Sequence, residues 1–192
     1  IDAVLGDAQS PPEGGTAEVE KMNSAGVACI VGGYASNICL ATTQAAARYD
    51  LPYIVDVGVT DAIVTRGLKN TFRFGPGFGV IAKTALANLV AINDKAGKPA
   101  KTVMIVHEDS AFGSGLAKLL NSQLPPQGFL QAAAAVVDRH HLTHVLQPAG
   151  TPLRPQLLRQ HVQLAVHQVP VVLLVRRVHP RRVAHVVFCQ PG

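Results

Sequence analysis

From the first residue to about position 122, short apolar runs alternate with helical stretches of roughly 10–17 residues. That alternation constrains the fold more than anything else in the chain. Strands separated by helices pair in parallel, so the pattern specifies an α/β fold of βαβ units around a parallel sheet. The runs are "IDAVLG" (1–6), "VACIVGG" (27–33), "PYIVDVG" (52–58), "NTFRFGP" (70–76) and "KTVMIVHED" (101–109). Pro11-Pro12-Glu13 opens a helix that lasts to about Ser24, with proline and an acid where a helix N-terminus accepts them. Further helices are expected over 36–49, with Ser36 or Asn37 as the cap, over 78–94 with apolar positions 81, 85, 86, 89, 90 and 92, and over 110–122. The unbroken run at 27–33 is of the kind found in a strand buried on both faces.

Three strand ends carry small or polar residues: "GGYAS" (32–36), "DVGVTD" (56–61) and "HEDSAFG" (107–113). In open parallel sheets a ligand sits in the crevice beyond the carboxyl ends of the strands. Glycine lets a ligand approach the backbone, and Ser36 at a helix start offers hydroxyl and N–H donors, which suits a carboxylate. The same residues read equally well as a tight turn at Gly32-Gly33 and a helix cap at Ser36. His107 beside Glu108-Asp109 is a candidate base, against a simpler reading as strand-end residues in a polar cleft.

Several function classes fall away. "GPGFG" (75–79) lacks the third glycine of a dinucleotide fingerprint, and no phosphate-loop motif occurs. There is no GxSxG elbow, and "GSG" at 113–115 has no placed histidine and acid. Cys29, Cys39 and Cys189 have no metal-site or redox spacing; Cys29 and Cys39 are expected as small buried hydrophobes. No run approaches the ~18–20 apolar residues of a membrane span. The opening "IDAVLGD" shows no signal-peptide pattern and reads as a strand already inside a fold, so any export signal is expected to have been removed or never included.

The stretches "GDAQSPPEGG", "VACIVGGYASNICLATTQAAARYDLPYI", "TDAIVTRGLKNTFRFGP", "GKPAKTVMIVHEDSAFGSGLAKLL" and "LPPQGF" together resemble the periplasmic substrate-binding proteins of branched-chain amino-acid-type ABC transporters. These are type I solute-binding proteins of the leucine/isoleucine/valine-binding kind, and the likeness covers about 1–128. It implies two α/β lobes in three layers, closing on a small amino acid or carboxylate that is passed to a membrane permease. It also implies a periplasmic monomer with no catalysis, cofactor, metal or nucleic acid. Carried across by position, Ser36 resembles the group that holds the ligand carboxylate, with the backbone of Ala35 beside it. Gly58, Val59 and Thr60 match the turn that binds the α-carboxylate or amino group. Tyr34 lines the first turn, and Phe112 matches an aromatic that covers the ligand from the second lobe. Asp56 is a candidate partner for an ammonium group. Arg66 and Arg73 are expected as structural ion-pair partners. Two other readings stay open: a ligand-sensing receptor domain of the same fold, and a hydrolytic enzyme using His107 and Glu108.

The resemblance implies a first lobe over 1–97, lacking the strand and helix that precede "IDAVLG" in the family, and the start of a second over 98–128. The missing strand would leave an unpaired sheet edge. Residues 129–192 differ in kind. They hold seven Arg and one Asp, a net of +6, and contain no Ile, Lys, Glu, Ser, Asn, Tyr or Met. Gaining Arg, His, Pro, Gln and Val in their place is what a GC-rich coding region yields out of frame. A frameshift near 123–135, with a disordered or poorly packed tail and a chain weak in binding, is therefore the expectation. Rival readings are a metal site at HHxxH (140–144) and a nucleic-acid patch at "RRVHPRR" (176–182); the first lacks a further ligand and the second lacks interleaved aromatics.

Overall fold

The structure, a computed structural model, describes residues 2–9, 11–138, 141–146, 171–177 and 183–188, with side chains through Leu130. It divides into two units, 1–80 and 81–192. In the first, helix α1 (Pro12–Ser24) is followed by β1 (Ile30–Val31), α2 (Ser36–Ala47), β2 (Tyr53–Val55), the short α3 (Ala62–Thr65) and β3 (Thr71–Arg73). Helix α4 (Phe78–Lys95) carries the chain into the second unit. There β4 (Ala100–Glu108) and α5 (Ala111–Gln123) precede a 3-10 turn at Pro125–Gln127 and strands β5 (Leu130–Asp138), β6 (His141–Leu146), β7 (Val171–Arg177) and β8 (Val183–Phe188).

The expected parallel sheet is present. β1, β2 and β3 pair in parallel in that order, and β4 pairs in parallel with β5. β6, β7 and β8 join the second sheet antiparallel, giving the order β6-β5-β4-β7-β8. Past 128 the composition suggested no strands, yet four stretches of the tail pair as strands. Phe129, read as the first residue of that tail, is among the largest fully buried side chains.

Helix starts follow local chemistry. Proline and Glu13 open α1, and the Ser110 hydroxyl accepts from the N–H groups of Phe112 and Gly113 at the start of α5. In α2 the hydroxyls of Thr42 and Thr43 bond back to carbonyls one turn earlier, so these β-branched residues are satisfied inside an apolar helix.

Two expectations about strands change. Residues 2–9 form no strand; Leu5 is exposed, and they pair with none of the described strands, so no ladder holds them. The run at 27–33 contributes only Ile30 and Val31. Ile30, Tyr53 and Thr71 form a buried row, whereas their neighbours in register, Val31 and Phe72, are 65% and 57% exposed. The sheet is covered on one face only, which gives alternating instead of continuous burial. Cys29 lies before the strand and is exposed, contrary to expectation, while Cys39 is fully buried.

The first core gathers Val19, Ile30, Cys39, Leu51, Tyr53, Val55 and Ile63. In its buried row Thr71 Oγ1 has no hydrogen-bond partner among the described residues. An unpaired buried hydroxyl is costly, so Thr71→Val should be neutral or stabilise by about 1 kcal/mol. That corresponds to a rise in Tm of roughly 2–4 °C for a chain of this size. A clear loss of stability would mean that the hydroxyl is bonded after all.

Candidate functional site

In the first unit the predicted residues sit on two turns that meet above Cys39. The first, 32–36, leaves β1 and enters α2; the second, 56–61, leaves β2 and enters α3. They are joined by two bonds. Gly58 N–H donates to the Gly33 carbonyl at 2.9 Å, and Thr60 N–H donates to Ser36 Oγ at 3.3 Å. Ser36 is 3% exposed. It is not the cap of α2: that position is Ala35, extended and without a side-chain bond, so the serine hydroxyl is turned instead to the neighbouring loop. The first-turn N–H groups of an uncapped helix are a ready anion site.

The glycines have separate causes. Gly32 has φ +143° and a Cβ there would meet nothing within 4 Å, so this is bare backbone facing open space. Gly33 has φ +110°, and a Cβ would lie 2.7 Å from Cys39 Sγ. Gly58 has no positive φ, yet a Cβ would lie 2.5 Å from the same sulfur and 3.1 Å from both Val55 and Ile63. Gly33 and Gly58 are therefore small because both turns close on Cys39; the approach of a ligand is not needed to explain Gly58. Burial, and secondarily the charge of Asp56, pushes the Cys39 thiol up to about 11, which keeps it a neutral packing group.

Arg73 organises the second turn. Its Nη1 donates to the carbonyls of Val59 (3.1 Å) and Thr60 (3.0 Å), and its Nη2 meets Asp61 Oδ1 at 3.2 Å. The other Asp61 oxygen accepts from Gly79 N–H at 3.2 Å, and Phe78 N–H donates to the Val59 carbonyl at 3.0 Å. The expected ion pair of Arg73 is present. Arg66 differs: among the described residues it makes no ion pair and donates to the Leu40 carbonyl and to Thr43 Oγ1, binding α2 to the end of α3. The "FR" pair in β3 is the only sequence signal that could have pointed to the loop contacts of Arg73.

Tyr34 is exposed, and with Gly32, Gly33 and Ala35 it lines a cavity of about 330 Å³ against residues 6–9 and α1. Tyr53 and Thr42 line the same cavity, and burial raises the Tyr53 phenol. Neither residue was singled out from the sequence: Tyr53 lies inside the apolar run 52–58 and Thr42 inside the helix expected over 36–49. Asp56 is exposed and accepts the N–H of Val57.

Phe112 lies in the second unit, in the first turn of α5. His107 and Glu108 do not form an acid–base pair. His107 Nδ1 meets the Glu108 main-chain oxygen at 2.9 Å, and the Glu108 carboxylate turns to the start of α5, accepting from Gly113 N–H at 2.9 Å and from the Ser110 hydroxyl. That helix start is filled by the chain's own anion, whereas α2 has none. Of the HHxxH histidines, His140 lies outside the described residues, and 141–146 is a strand, not a helix. The basic run 176–182 is described only at its first two residues. Among the described residues no group of His, Cys, Asp or Glu could hold a metal, and no helix is long and apolar enough to cross a membrane.

Comparison with known proteins bears on the family and the fold. A family profile described as periplasmic binding protein matches residues 1–138, ten beyond the reach of the resemblance in the sequence. The Leu/Ile/Val-binding protein homolog 7 of Brucella melitensis is 33% identical over 95 residues, covering 48% of this chain and 24% of that protein. The chain thus spans about a quarter of the length of the curated relatives it matches. Among solved structures, an ABC transporter substrate-binding protein from Desulfitobacterium hafniense in complex with Leu superposes with a TM-score of 0.59 at 19% identity, covering 69% of this chain and 38% of the other. A solute binding protein from Rhodopseudomonas palustris in complex with 3,4-dihydroxy benzoic acid gives 0.63 at 19% identity, covering 83% and 40%. At these identities the likeness is one of fold.

Proposed function

The chain belongs to the periplasmic binding protein family, of the type I, branched-chain amino-acid kind, and from that premise we propose that the 32–36 and 56–61 turns form half of a carboxylate-binding site of an ABC importer's substrate-binding component. The observation that carries this reading is the pairing of Ser36 with Thr60 at the uncapped start of α2. Ser36 Oγ accepts from the Thr60 amide, which leaves its proton to donate. With the first-turn N–H groups of α2 it makes a cluster of donors without a matching acid. Gly32 adds open backbone beside it.

The ligand is a small amino acid or other small carboxylate, and the proteins in complex with Leu and with 3,4-dihydroxy benzoic acid both carry a carboxyl group to such a fold. An ABC permease in the membrane is the partner of the intact protein. The site acts in the periplasm, without catalysis or cofactor; the relatives are solute-binding proteins, and Glu108 is already committed to α5. We further propose that the reading frame changes near 123–135, since residues 129–192 carry the altered composition and most of them lie beyond the family match.

A site built from one lobe immobilises its ligand with about half the contacts, so binding to this chain should be weak, in the millimolar range. Titration of L-leucine into the labelled chain should move the Ser36 and Thr60 amide resonances. Ser36→Ala removes a hydrogen bond to a charged group worth about 1.5–3 kcal/mol, which lowers affinity roughly ten- to a hundredfold. Unchanged affinity would remove Ser36 from the site, and micromolar binding by the wild type would overturn the one-sided reading.

A further inference from the structure

Among the described residues the candidate site has no side-chain cation: Ser36, Thr60 and the start of α2 are all neutral donors, and the Arg73 guanidinium is spent on main-chain carbonyls and Asp61. Those carbonyls nevertheless connect it to the site. Val59 C=O and Thr60 N–H belong to one peptide group. Its oxygen accepts from the Arg73 guanidinium at 3.1 Å and from Phe78 N–H at 3.0 Å, and its N–H donates to Ser36 Oγ at 3.3 Å. A cationic donor on the oxygen of an amide withdraws charge and makes its N–H a stronger donor, and chains of hydrogen bonds strengthen one another in this way. The Ser36 oxygen, accepting from that N–H, becomes in turn the more acidic hydroxyl.

We propose that Arg73 is a positioning residue for the carboxylate site, supplying its positive charge at second hand through the Val59–Thr60 peptide and the Ser36 hydroxyl, with Asp61 setting how much of that charge reaches it. This rests on the carboxylate reading above. Arg73 is 10% exposed along its side chain while Asp61 is 45% exposed, so the cation is sheltered and its counter-charge faces solvent. The arrangement favours an anion over a neutral isostere without placing a side-chain cation against it. A direct cation would hold any anion strongly; a relayed charge keeps the interaction modest and ties it to the hydroxyl geometry.

The two charges predict opposite effects, which a packing role does not. Binding of acetate and of acetamide, its neutral isostere, is followed at the Ser36 and Thr60 amides of the full chain by nuclear magnetic resonance. Arg73→Met is expected to weaken acetate binding roughly tenfold, since the charge that strengthens the Thr60 N–H and the Ser36 hydroxyl is lost, and to leave acetamide unchanged. Asp61→Asn retains an acceptor for Gly79 N–H but frees the guanidinium, so acetate should bind about threefold more tightly. The sign of the Asp61→Asn effect decides the matter even if Arg73→Met fails to fold. If both variants weaken acetate and acetamide alike, or leave acetate unchanged, the relay is overturned and Arg73 only braces the loop. If acetate shifts neither amide in the wild type, the carboxylate reading itself falls and the relay with it.

Discussion

Gly58→Val should cost this protein about 3 kcal/mol, the upper end of what overpacking a close-packed core usually costs. The Cβ alone would stand 2.5 Å from Cys39 Sγ and 3.1 Å from Val55 and Ile63, all of them buried, before the two valine methyls are placed. The contact is with a short side chain on a helix, and neither can swing away. The urea midpoint is the measurement, and a double-mutant cycle identifies the cause. In a Cys39→Ala background the sulfur is gone, so a smaller intrusion, Gly58→Ala, should recover about 1–2 kcal/mol relative to the same change in the wild type. Equal costs in both backgrounds would mean that Cys39 does not dictate the glycine. A variant that stays fully stable and merely fails to bind a carboxylate would restore the ligand as the reason for Gly58.

Phe129→Ala should be the most damaging single truncation in the second unit, at about 3–5 kcal/mol for a buried aromatic. Phe129 is buried where the chain leaves the 3-10 turn, its N–H donating to the Leu124 carbonyl at 3.3 Å just after Gly128 at φ +82°. The following strand β5 pairs with β4, so the ring sits at the junction of the legible chain and the altered tail. Hydrogen exchange resolves the effect by unit. Amides of Val103–Val106 should lose protection by about a thousandfold, the equivalent of roughly 4 kcal/mol, while Ile54 keeps its own. A cost below about 1 kcal/mol would mean that the ring has little packed against it and that the second unit does not depend on residues past 128.

The parallel sheet of β1, β2 and β3, the strand β4 and the helix order were legible because they follow from local rules; β5, in the stretch of altered composition, was not. Periodicity, proline at the start of α1 and serine at the start of α5 act within a few residues. The same rules misjudged "IDAVLG" and Cys29. An apolar run becomes a buried strand only if another strand and a covering layer are there to meet it, and periodicity carries no information about either. The candidate site divides in the same way. Its residue types at the strand ends, Ser36, Gly58 and Thr60, were visible as small or hydroxylic residues where a parallel sheet holds ligands. Their connections were not: that Gly33 and Gly58 are bare for one sulfur, that Ser36 faces Thr60 and not its own helix, and that Glu108 closes the start of α5.

By itself, then, the sequence determined an α/β chain with small and hydroxylic residues at the turn after β1 and a change of composition after about 128. Only the tertiary structure decided what each of those residues does, because the deciding contacts join positions far apart in the chain. Thr60 reaches back to Ser36 across 24 residues, and Arg73 to Val59 across 14. A short hydroxyl at a helix start can cap its own helix or bond to another loop with nearly the same local energy, so the choice falls to whichever donor the fold brings within reach. Here β2 delivers the Thr60 amide, and Arg73 holds it there.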